Sequence, residues 1–350
     1  MPGTAPEPFP KIELHVHLEG TVRPDTLRSI AKRNDYPLPD DLEAELEFRD
    51  FDHFLEAFVL TTGALQRYDD FRQIVVAYAE EAKAHGAVYL ETIFAPRIMH
   101  GIDTDVVFSG YCDGAQEARE LHGVEVRLTP DIPRVYTLED ALTTARYAVK
   151  YRDRGVVGIG LGGPEKGHPP EPYAEAFALA REGGLASVPH AGEGAGAESV
   201  RGALETLGAD RIRHGVRAVE DTGLVGELAG RGTVLDICPI SNVRLGIVPS
   251  LEEHPLPQLM AAGIRCSIST DDPAIFDTDL TRDYEAAASL GMSPQAAYEA
   301  GLAGALCDET TQARLRQIGD SHDWAEAGSG AGYAGAARPL DPAPDSAAAR

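Results

Sequence analysis

The chain has little cysteine, and its four cysteines are widely spaced: Cys112, Cys238, Cys266 and Cys307. They form neither close pairs nor a C-x-x-C motif, which argues against a disulfide framework and favours reduced thiols in the cytoplasm. The chain also lacks any run of eighteen apolar residues and any apolar stretch near its N-terminus. We therefore expect neither a membrane span nor an export signal.

Basic residues are scarce as well. Lys and Arg number 31 against 56 Asp and Glu, which gives a formal net charge of -25. Such a field repels phosphate backbones and anionic lipids, so nucleic acid and membrane surfaces are not expected partners. The acidic excess is typical of solvated helix faces. With 350 residues and a hydrophobic share of 43%, the chain is long and apolar enough to bury a large core.

Strand-like and helix-like patterns alternate along most of the chain. Eight strands are predicted, at 11–17, 87–94, 124–129, 156–161, 185–190, 211–214, 233–238 and 264–270. A helical pattern follows each of them, which implies parallel pairing and favours an α/β fold that closes into a (β/α)₈ TIM barrel. A doubly wound open sheet is the main alternative. Extra helices are predicted after strand 1, within residues 21–86, as a lid or a plain cap, and at the C-terminus.

The domain organisation is predicted to be simple. Residues 1–324 form a single metal-dependent (β/α)₈ domain, with helices continuing to about Ile318. From residue 325 to residue 350 the chain is dominated by Ala, Gly and Pro, a composition typical of a disordered tail.

Side chains with metal-binding chemistry fall at the ends of the predicted strands, where a barrel places its catalytic groups. His15 and His17 end the first strand, and residues two apart on a strand point the same way, so both imidazoles face one space. Strands five, six and eight end in, or are followed by, His190, His214, Asp271 and Asp272. Packing alone does not explain this clustering.

Three imidazoles and one carboxylate suit a single zinc ion that keeps room for a water. The predicted ligands are His15, His17, His190 and Asp271. Catalytic zinc lowers the pKa of its water towards neutrality. His214 is then free to take or hold a proton of that water; the alternative is a buried core histidine.

Two further acids adjoin this set. Glu193, in the segment HAGE, can serve as a general acid if burial raises its pKa; otherwise it is a carboxylate that favours the start of the next helix. Asp272 can hydrogen-bond a substrate, in protonated form, while Asp271 binds the cation.

The segment GIGLGG, residues 158–163, matches the spacing of a dinucleotide-binding turn. Pro164 and the following GHPPEP interrupt the helix that such a site needs, and the next strand ends in His190 instead of an acid. We therefore expect these glycines to let backbone N–H groups approach a flat ligand.

Five motifs in this order, HVHLEG, HAGE, RIRHG, CPISN and STDDPAIF, resemble those of the adenosine deaminase family of amidohydrolases. The resemblance runs from about residue 10 to residue 318. It implies a zinc-dependent hydrolytic deamination of a 6-aminopurine, with release of ammonia. It also implies that Glu193 protonates ring N1, that His214 steers the water and that Asp271 accepts a proton from it.

The resemblance places the substrate against His17, Glu19, Gly163 and Asp272, with the Gly163 N–H on N3 and Asp272 on N7. Glu19 departs from the family, which typically has Asp there against the 5′-hydroxyl of ribose. The segment GLGGPE likewise replaces the typical DLAGDE. We infer a nucleoside enzyme whose 5′ end is built differently, such as one acting on 6-amino-6-deoxyfutalosine, a menaquinone precursor with a bulky 5′ group.

Other interpretations remain open from the sequence. Glu at position 19 also occurs in adenine deaminases, although their last motif typically reads SDDPAYFGG instead of TDDPAIFDTDL. A non-catalytic nucleoside-binding relative and another amidohydrolase reaction are further alternatives. Related two-metal enzymes carry a bridging lysine at the end of strand four, whereas Lys166 lies beyond it in a loop, which argues for one zinc per chain. The expected partner is a small aminopurine nucleoside; no oligomeric state is predicted.

Overall fold

The strands of this computed structural model, which describes residues 8–46, 51–96 and 101–327, form a parallel barrel. They are β1 Lys11–His17, β2 Ala87–Phe94, β3 Glu125–Pro133, β4 Gly158–Gly162, β5 Ala186–Ser187, β6 His190–Ala191, β7 Arg211–His214, β8 Val234–Ile237 and β9 Arg265–Ile268. Neighbouring strands pair in parallel in two ladders, from β1 to β5 and from β6 to β9.

Backbone hydrogen bonds close both seams between these ladders. Around Pro189, the Val188 N–H donates to the Ile159 carbonyl of β4 at 2.9 Å. The Pro189 carbonyl accepts from the Arg213 N–H of β7 at 3.0 Å. At the other seam, the His17 N–H donates to the Asp271 carbonyl at 2.8 Å, and the Asp271 N–H donates to the His15 carbonyl at 3.1 Å. The predicted α/β barrel is thereby confirmed, and the open-sheet alternative is wrong.

Two strand predictions need correction. The predicted strand 185–190 is divided into β5 and β6, because Pro189 has no N–H to donate to a ladder. The strand predicted to end at residue 129 continues through Pro130 to Pro133. This extension brings Asp131 into the barrel beside Gly160 of β4.

Helices surround the barrel. The α-helices of the described residues are α1 Pro24–Asn34, α2 Leu42–Leu46, α3 Phe51–Ala64, α4 Tyr68–Ala84, α5 Thr104–His122, α6 Leu138–Lys150, α7 Ala174–Glu182, α8 Ala197–Thr206, α9 Thr222–Arg231, α10 Pro239–Arg244, α11 Leu256–Ala261, α12 Leu280–Ser289, α13 Pro294–Gly304, α14 Glu309–Ser321 and α15 Trp324–Ala327. Helices α1 to α4 lie between β1 and β2, and α12 to α15 follow β9. Helix α10 was not predicted; it begins at Pro239, and proline is tolerated at the first position of a helix.

Buried charged side chains fill the end of the barrel that lies away from the candidate site. Arg211, at the start of β7, is 1% exposed and donates to Glu91 and to Asp236, each at 2.7 Å. Burying ions is costly unless each is paired and hydrogen-bonded, as these are. This layer is structural and lies at the opposite end of β7 from His214.

The remaining predictions concern the cysteines, membrane spans and the tail. All four cysteines are unpaired. Within the described ranges no helix combines the length and the apolar character needed to span a bilayer. Of the predicted tail, only 325–327 are described, as the end of α15, and the prediction for 328–350 falls outside the described residues.

Candidate active site

Four side chains converge at the carboxyl ends of the strands. The Nε2 atom of His190 lies 3.0 Å from Nε2 of His15 and 3.2 Å from Nε2 of His17. The Oδ1 atom of Asp271 lies 3.2 Å and 3.4 Å from the same two nitrogens. Ligand atoms at tetrahedral positions around zinc are about 3.3 Å apart, given bonds of about 2.0–2.1 Å. These four distances therefore match the spacing between two ligand atoms of a zinc ion.

His214 lies in the same cluster and makes the ligand set ambiguous. Ligand atoms of His15, His190, His214 and Asp271 all lie within 4.8 Å of one another, and all four side chains are buried. A second group of this kind contains His17 and Asp271 together with Asp272. The third histidine ligand is therefore either His17 or His214, and the hydrogen bonds of His214 bear on the choice.

A relay of hydrogen bonds defines the tautomer of His214. The Leu256 N–H donates to Nδ1 of His254 at 3.1 Å, so the proton of that neutral ring is on Nε2. The Nε2–H group of His254 then donates to Oδ1 of Asn242 at 3.2 Å. Asn242 must then present its amide N–H to Nδ1 of His214, at 3.2 Å. Neutral His214 accordingly carries its proton on Nε2.

This tautomer directs an N–H of His214 into the site. Its Nε2 lies 3.5 Å from Oε1 of Glu193 and 3.7 Å from Oδ2 of Asp271. A nitrogen that carries a proton has no lone pair for a metal. The relay thus favours His17 over His214 as a ligand and leaves His214 as a hydrogen-bond donor towards a reacting water.

Burial keeps the imidazoles of His15, His17 and His214 neutral. It lowers the pKa of His17 to about 4 and that of His214 to about 3, and it holds the pKa of His15 well below its usual value. Neutral imidazole is the form that binds zinc. For Asp271, burial opposes ionisation, but the neighbouring His15 and His214 hold its pKa well below the ordinary range. Of the candidate ligands, His15 and His17 are therefore neutral imidazoles, and Asp271 is a carboxylate.

The two acids beside the cluster behave in the opposite way. Burial, with Asp271 and then Glu165 nearby, raises the pKa of Glu193 well above its usual value. Burial and the charge of Asp271 do the same for Asp272. Both carboxyl groups are therefore shifted towards the protonated form, in which they can donate a proton or a hydrogen bond.

These groups form one end of a cavity of about 750 Å³. Its polar end contains His17, Asp131, His190, Glu193, His214, Asp271 and Asp272. Its other walls are mainly apolar and include Phe54, Leu55, Phe58, Val59, Val135 and Leu245. Among the described residues, no Lys or Arg lines it. Helix α3 supplies part of the apolar wall, so the helices inserted after β1 take part in the site.

The two remaining predicted contact residues are placed differently. Gly163 follows β4, lines the cavity and has a φ of +87°, a backbone conformation that glycine adopts without strain. Glu19 is fully buried, and its Oε1 accepts from the Ala95 N–H at 3.0 Å and from the Tyr111 hydroxyl at 3.3 Å. It is not among the lining residues of the cavity, so in this structure it supports the wall at Ala95, and its predicted contact with substrate stays a prediction.

Sequence reasoning missed several supporting residues. The Ser241 hydroxyl, on α10, donates to Oδ2 of Asp271 at 2.6 Å. Glu165, in the loop after β4, accepts the backbone N–H groups of Gly192 at 3.0 Å, Glu193 at 3.0 Å and Ala195 at 3.4 Å. Its carboxylate thereby holds the turn that presents Glu193. The acidic residue within GLGGPE was the only signal, and its partners lie too far along the chain for any periodic pattern to identify them.

Replacing Glu165 by Gln is expected to lower kcat roughly tenfold to a hundredfold, because hydrogen bonds to a charged group are each worth about 1.5–3 kcal/mol. The NH₂ group of the glutamine would face one of the backbone N–H groups that Glu165 accepts, and this contact between two donors would loosen the segment that carries Glu193. KM is expected to change little. Steady-state kinetics with thermal unfolding measure the effect. The matched control is Glu198→Gln. Glu198 is exposed and accepts one hydrogen bond, from the Gly196 N–H at 3.2 Å. Equal kcat in both variants would contradict this role.

Comparisons with known proteins agree with this geometry. The family described as adenosine deaminase matches residues 10–317. An aminodeoxyfutalosine deaminase of Acidothermus cellulolyticus is 50% identical over 331 residues, covering 91% of this chain and 93% of that protein. The crystal structure of an adenine deaminase from Arthrobacter aurescens superposes with a TM-score of 0.85 at 30% identity, covering 91% and 99%. An amidohydrolase structure from Burkholderia ambifaria with bound zinc gives 0.83 at 28% identity, covering 92% and 91%.

Proposed function

The chain belongs to the adenosine deaminase family, and from this premise we propose that it deaminates a purine nucleoside that carries a bulky group at the 5′ position. The first candidate is 6-amino-6-deoxyfutalosine, and the products would be the 6-oxo nucleoside and ammonia. The relative from Acidothermus cellulolyticus supports this choice of substrate.

The observation that carries the proposal is the division of the cavity. Proton-donating and metal-binding groups occupy one end, and the rest is walled by aromatic and aliphatic side chains such as Phe54, Phe58 and Val135. A 6-aminopurine fills the polar end, and a bulky 5′ substituent that contains an aromatic ring would cover the remaining wall.

One zinc ion per chain is the cofactor, and we propose His15, His17, His190 and Asp271 as its ligands. Four distances of 3.0 to 3.4 Å between their ligand atoms and the neutral state of His15 and His17 support this set. When bound, zinc lowers the pKa of a water towards neutrality. Every other step depends on the side chains around it.

Glu193 is proposed as the general acid. Its carboxyl group, protonated because burial raises its pKa, donates to N1 of the purine as the oxygen of water adds to C6. Addition at C6 ends the aromaticity of the ring, and protonation of N1 keeps negative charge from building up there. Afterwards the Glu193 carboxylate takes the proton of the new C6 hydroxyl, which leaves the 6-oxo group.

His214 and Asp271 are proposed to handle the attacking water. The His214 N–H, fixed by Asn242, orients the oxygen, and Oδ2 of Asp271 accepts a proton from it. That proton passes to the departing amino group, which leaves as ammonia. The water thus gives its oxygen to C6, one proton to the departing ammonia and the other proton to Glu193, whose original proton remains on N1.

Asp272 and Gly163 are proposed to orient the purine. N7 is a hydrogen-bond acceptor, so it needs a donor, and the raised pKa of Asp272 supplies a carboxylic O–H. Gly163 exposes its backbone where N3 would lie, without a Cβ in the way. Both contacts favour an aminopurine over an amide or ester substrate, which has no equivalent acceptors.

The proposal is tested by comparing turnover of 6-amino-6-deoxyfutalosine, 5′-methylthioadenosine, adenosine, adenosine 5′-phosphate and adenine. We expect kcat/KM to fall in that order for the first three, with the last two poorest. Release of ammonia, followed together with the change in purine ultraviolet absorbance, identifies deamination. If adenosine exceeded 6-amino-6-deoxyfutalosine by a large factor, the assigned substrate would be wrong.

Adenine is the second candidate, because the Arthrobacter aurescens structure named above is that of an adenine deaminase. A free base would contact only the polar end and would leave the wall formed by α3 facing water. The same comparison of substrates decides between them. For location, we propose the cytoplasm, which the four unpaired cysteines support.

A further inference from the structure

Beside His190 lies a carboxylate that the mechanism above does not use. Asp131, in the part of β3 beyond Pro130, is 2% exposed, and its Oδ2 lies 3.2 Å from Nδ1 of His190. Its Oδ1 accepts a hydrogen bond from the guanidinium of Arg213, which is fully buried in β7. Arg213 also donates to the Thr129 hydroxyl at 2.6 Å. The carboxylate is therefore held in a fixed place by an ion pair beneath the histidine.

Two glycines of β4 leave the space for this carboxylate. A Cβ on Gly160 would lie well inside contact distance of both Asp131 and Arg213. A Cβ on Gly162 would lie 2.5 Å from Oδ2 of Asp131, and the next nearest atoms, at 3.5 Å and 3.8 Å, belong to the same side chain. Residues 131 and 133 of β3 pair with residues 160 and 162 of β4. The Asp131 side chain therefore fills the space that side chains on the two glycines would occupy.

His190 has two acceptors near the nitrogen that faces away from the metal site. The Leu161 carbonyl lies 3.0 Å from Nδ1 and accepts its hydrogen, and Oδ2 of Asp131 adds negative charge at 3.2 Å. Partners of this kind fix the ring orientation of a metal-binding histidine and make its other nitrogen a stronger ligand. A backbone carbonyl alone supplies direction without a full charge.

We propose that Asp131 is a positioning residue for the metal site: its carboxylate, supplied by β3 and anchored by Arg213, holds the ring of His190 and strengthens Nε2 as a ligand. The inference rests on the proposed zinc site. Residues of this outer layer typically change metal affinity or activity by about 10–100-fold. Asp131 also lines the cavity, so contact with substrate is the competing role.

The test moves the carboxylate from one strand to the other. Asp131→Ala removes the carboxylate from β3. The double variant Asp131→Ala/Gly162→Asp places a carboxylate in the same space from β4. The new Cβ of residue 162 would lie 3.8 Å from the Cβ of residue 131, an ordinary contact distance. Zinc retained by the purified chain is measured against increasing chelator, alongside kcat and KM. We expect Asp131→Ala to lose zinc at about 10–100-fold lower chelator, and the double variant to recover most of that loss.

Asp131→Asn covers the case in which Asp131→Ala leaves Arg213 without a partner and fails to fold. It keeps an acceptor for Arg213 but removes the charge, and we expect a partial loss of zinc retention in a folded chain. Zinc retention equal to wild type in Asp131→Ala, or in Asp131→Asn, would overturn the inference, as would a folded double variant that recovers nothing. A rise in KM alone would assign Asp131 to substrate contact. Wild type without turnover would overturn the proposed function instead.

Discussion

Glu193→Gln is expected to reduce kcat by about 10²–10⁴-fold, the range of a lost general acid, while the chain keeps its zinc. Glutamine has nearly the shape of glutamic acid but has no acidic proton for purine N1. Glu193 is not within the proposed ligand set, and the turn that carries it is held through its backbone N–H by Glu165. The fold and the metal site should therefore survive the substitution.

Turnover and metal content of this variant are measured on the same sample, with Glu198→Gln as the control on the neighbouring helix. Glu198 is exposed, so its substitution should leave kcat within a few-fold of wild type. Turnover of Glu193→Gln close to that of the control would refute the acid role. Loss of zinc from it would show instead that Glu193 supports the metal.

The second large effect separates the two histidines that compete for the third ligand position. We expect His17→Ala to weaken zinc binding by more than the about 10–100-fold that outer-layer residues typically contribute, and to lose activity with it. We expect His214→Ala to retain zinc at the wild-type level and still lose activity by at least about 10²-fold. The difference arises because the proton on Nε2 of His214 is fixed by Asn242, whereas Nε2 of His17 lies 3.2 Å from His190 and 3.4 Å from Asp271.

Zinc content and activity of both variants, with metal supplied in excess and then removed by dialysis, provide the measurement. His168→Ala, a substitution of a half-exposed histidine in the loop after β4, is the control for losing an imidazole. The reverse outcome, zinc lost from His214→Ala and kept by His17→Ala, would show that His214 and not His17 is the third histidine ligand.

The barrel could be predicted because the chain repeats one simple pattern. Short apolar strands alternate with amphipathic helices, and that alternation permits little except parallel pairing. The odd-numbered polar residues of β1 place His15 and His17 on one face, and the strand-end rule brings them to His190, His214 and Asp271. Here the local pattern and the tertiary position agree, so the residues of the site could be identified.

The outer layer of the site could not be predicted, and the reasons differ from residue to residue. Pro130 predicts a strand end, since proline gives no hydrogen to a ladder, so Asp131 was placed outside the barrel. His254 belongs to a connecting segment, and its contact with Asn242 depends on how α10 and α11 meet. The substrate contact of Glu19 was implied by the family resemblance and stays a prediction, whereas the hydrogen bonds of its carboxylate with Ala95 and Tyr111 had no signal in the sequence.

The central claim is that one zinc ion lies among His15, His17, His190 and Asp271, and anomalous X-ray scattering at the zinc absorption edge from crystals of the chain tests it most directly. The account predicts a single peak, about 2.0–2.2 Å from Nε2 of the three histidines and from an oxygen of Asp271, with His214 outside bonding distance. Two peaks, no peak after zinc is supplied, or a peak bonded to His214 in place of His17 would contradict it.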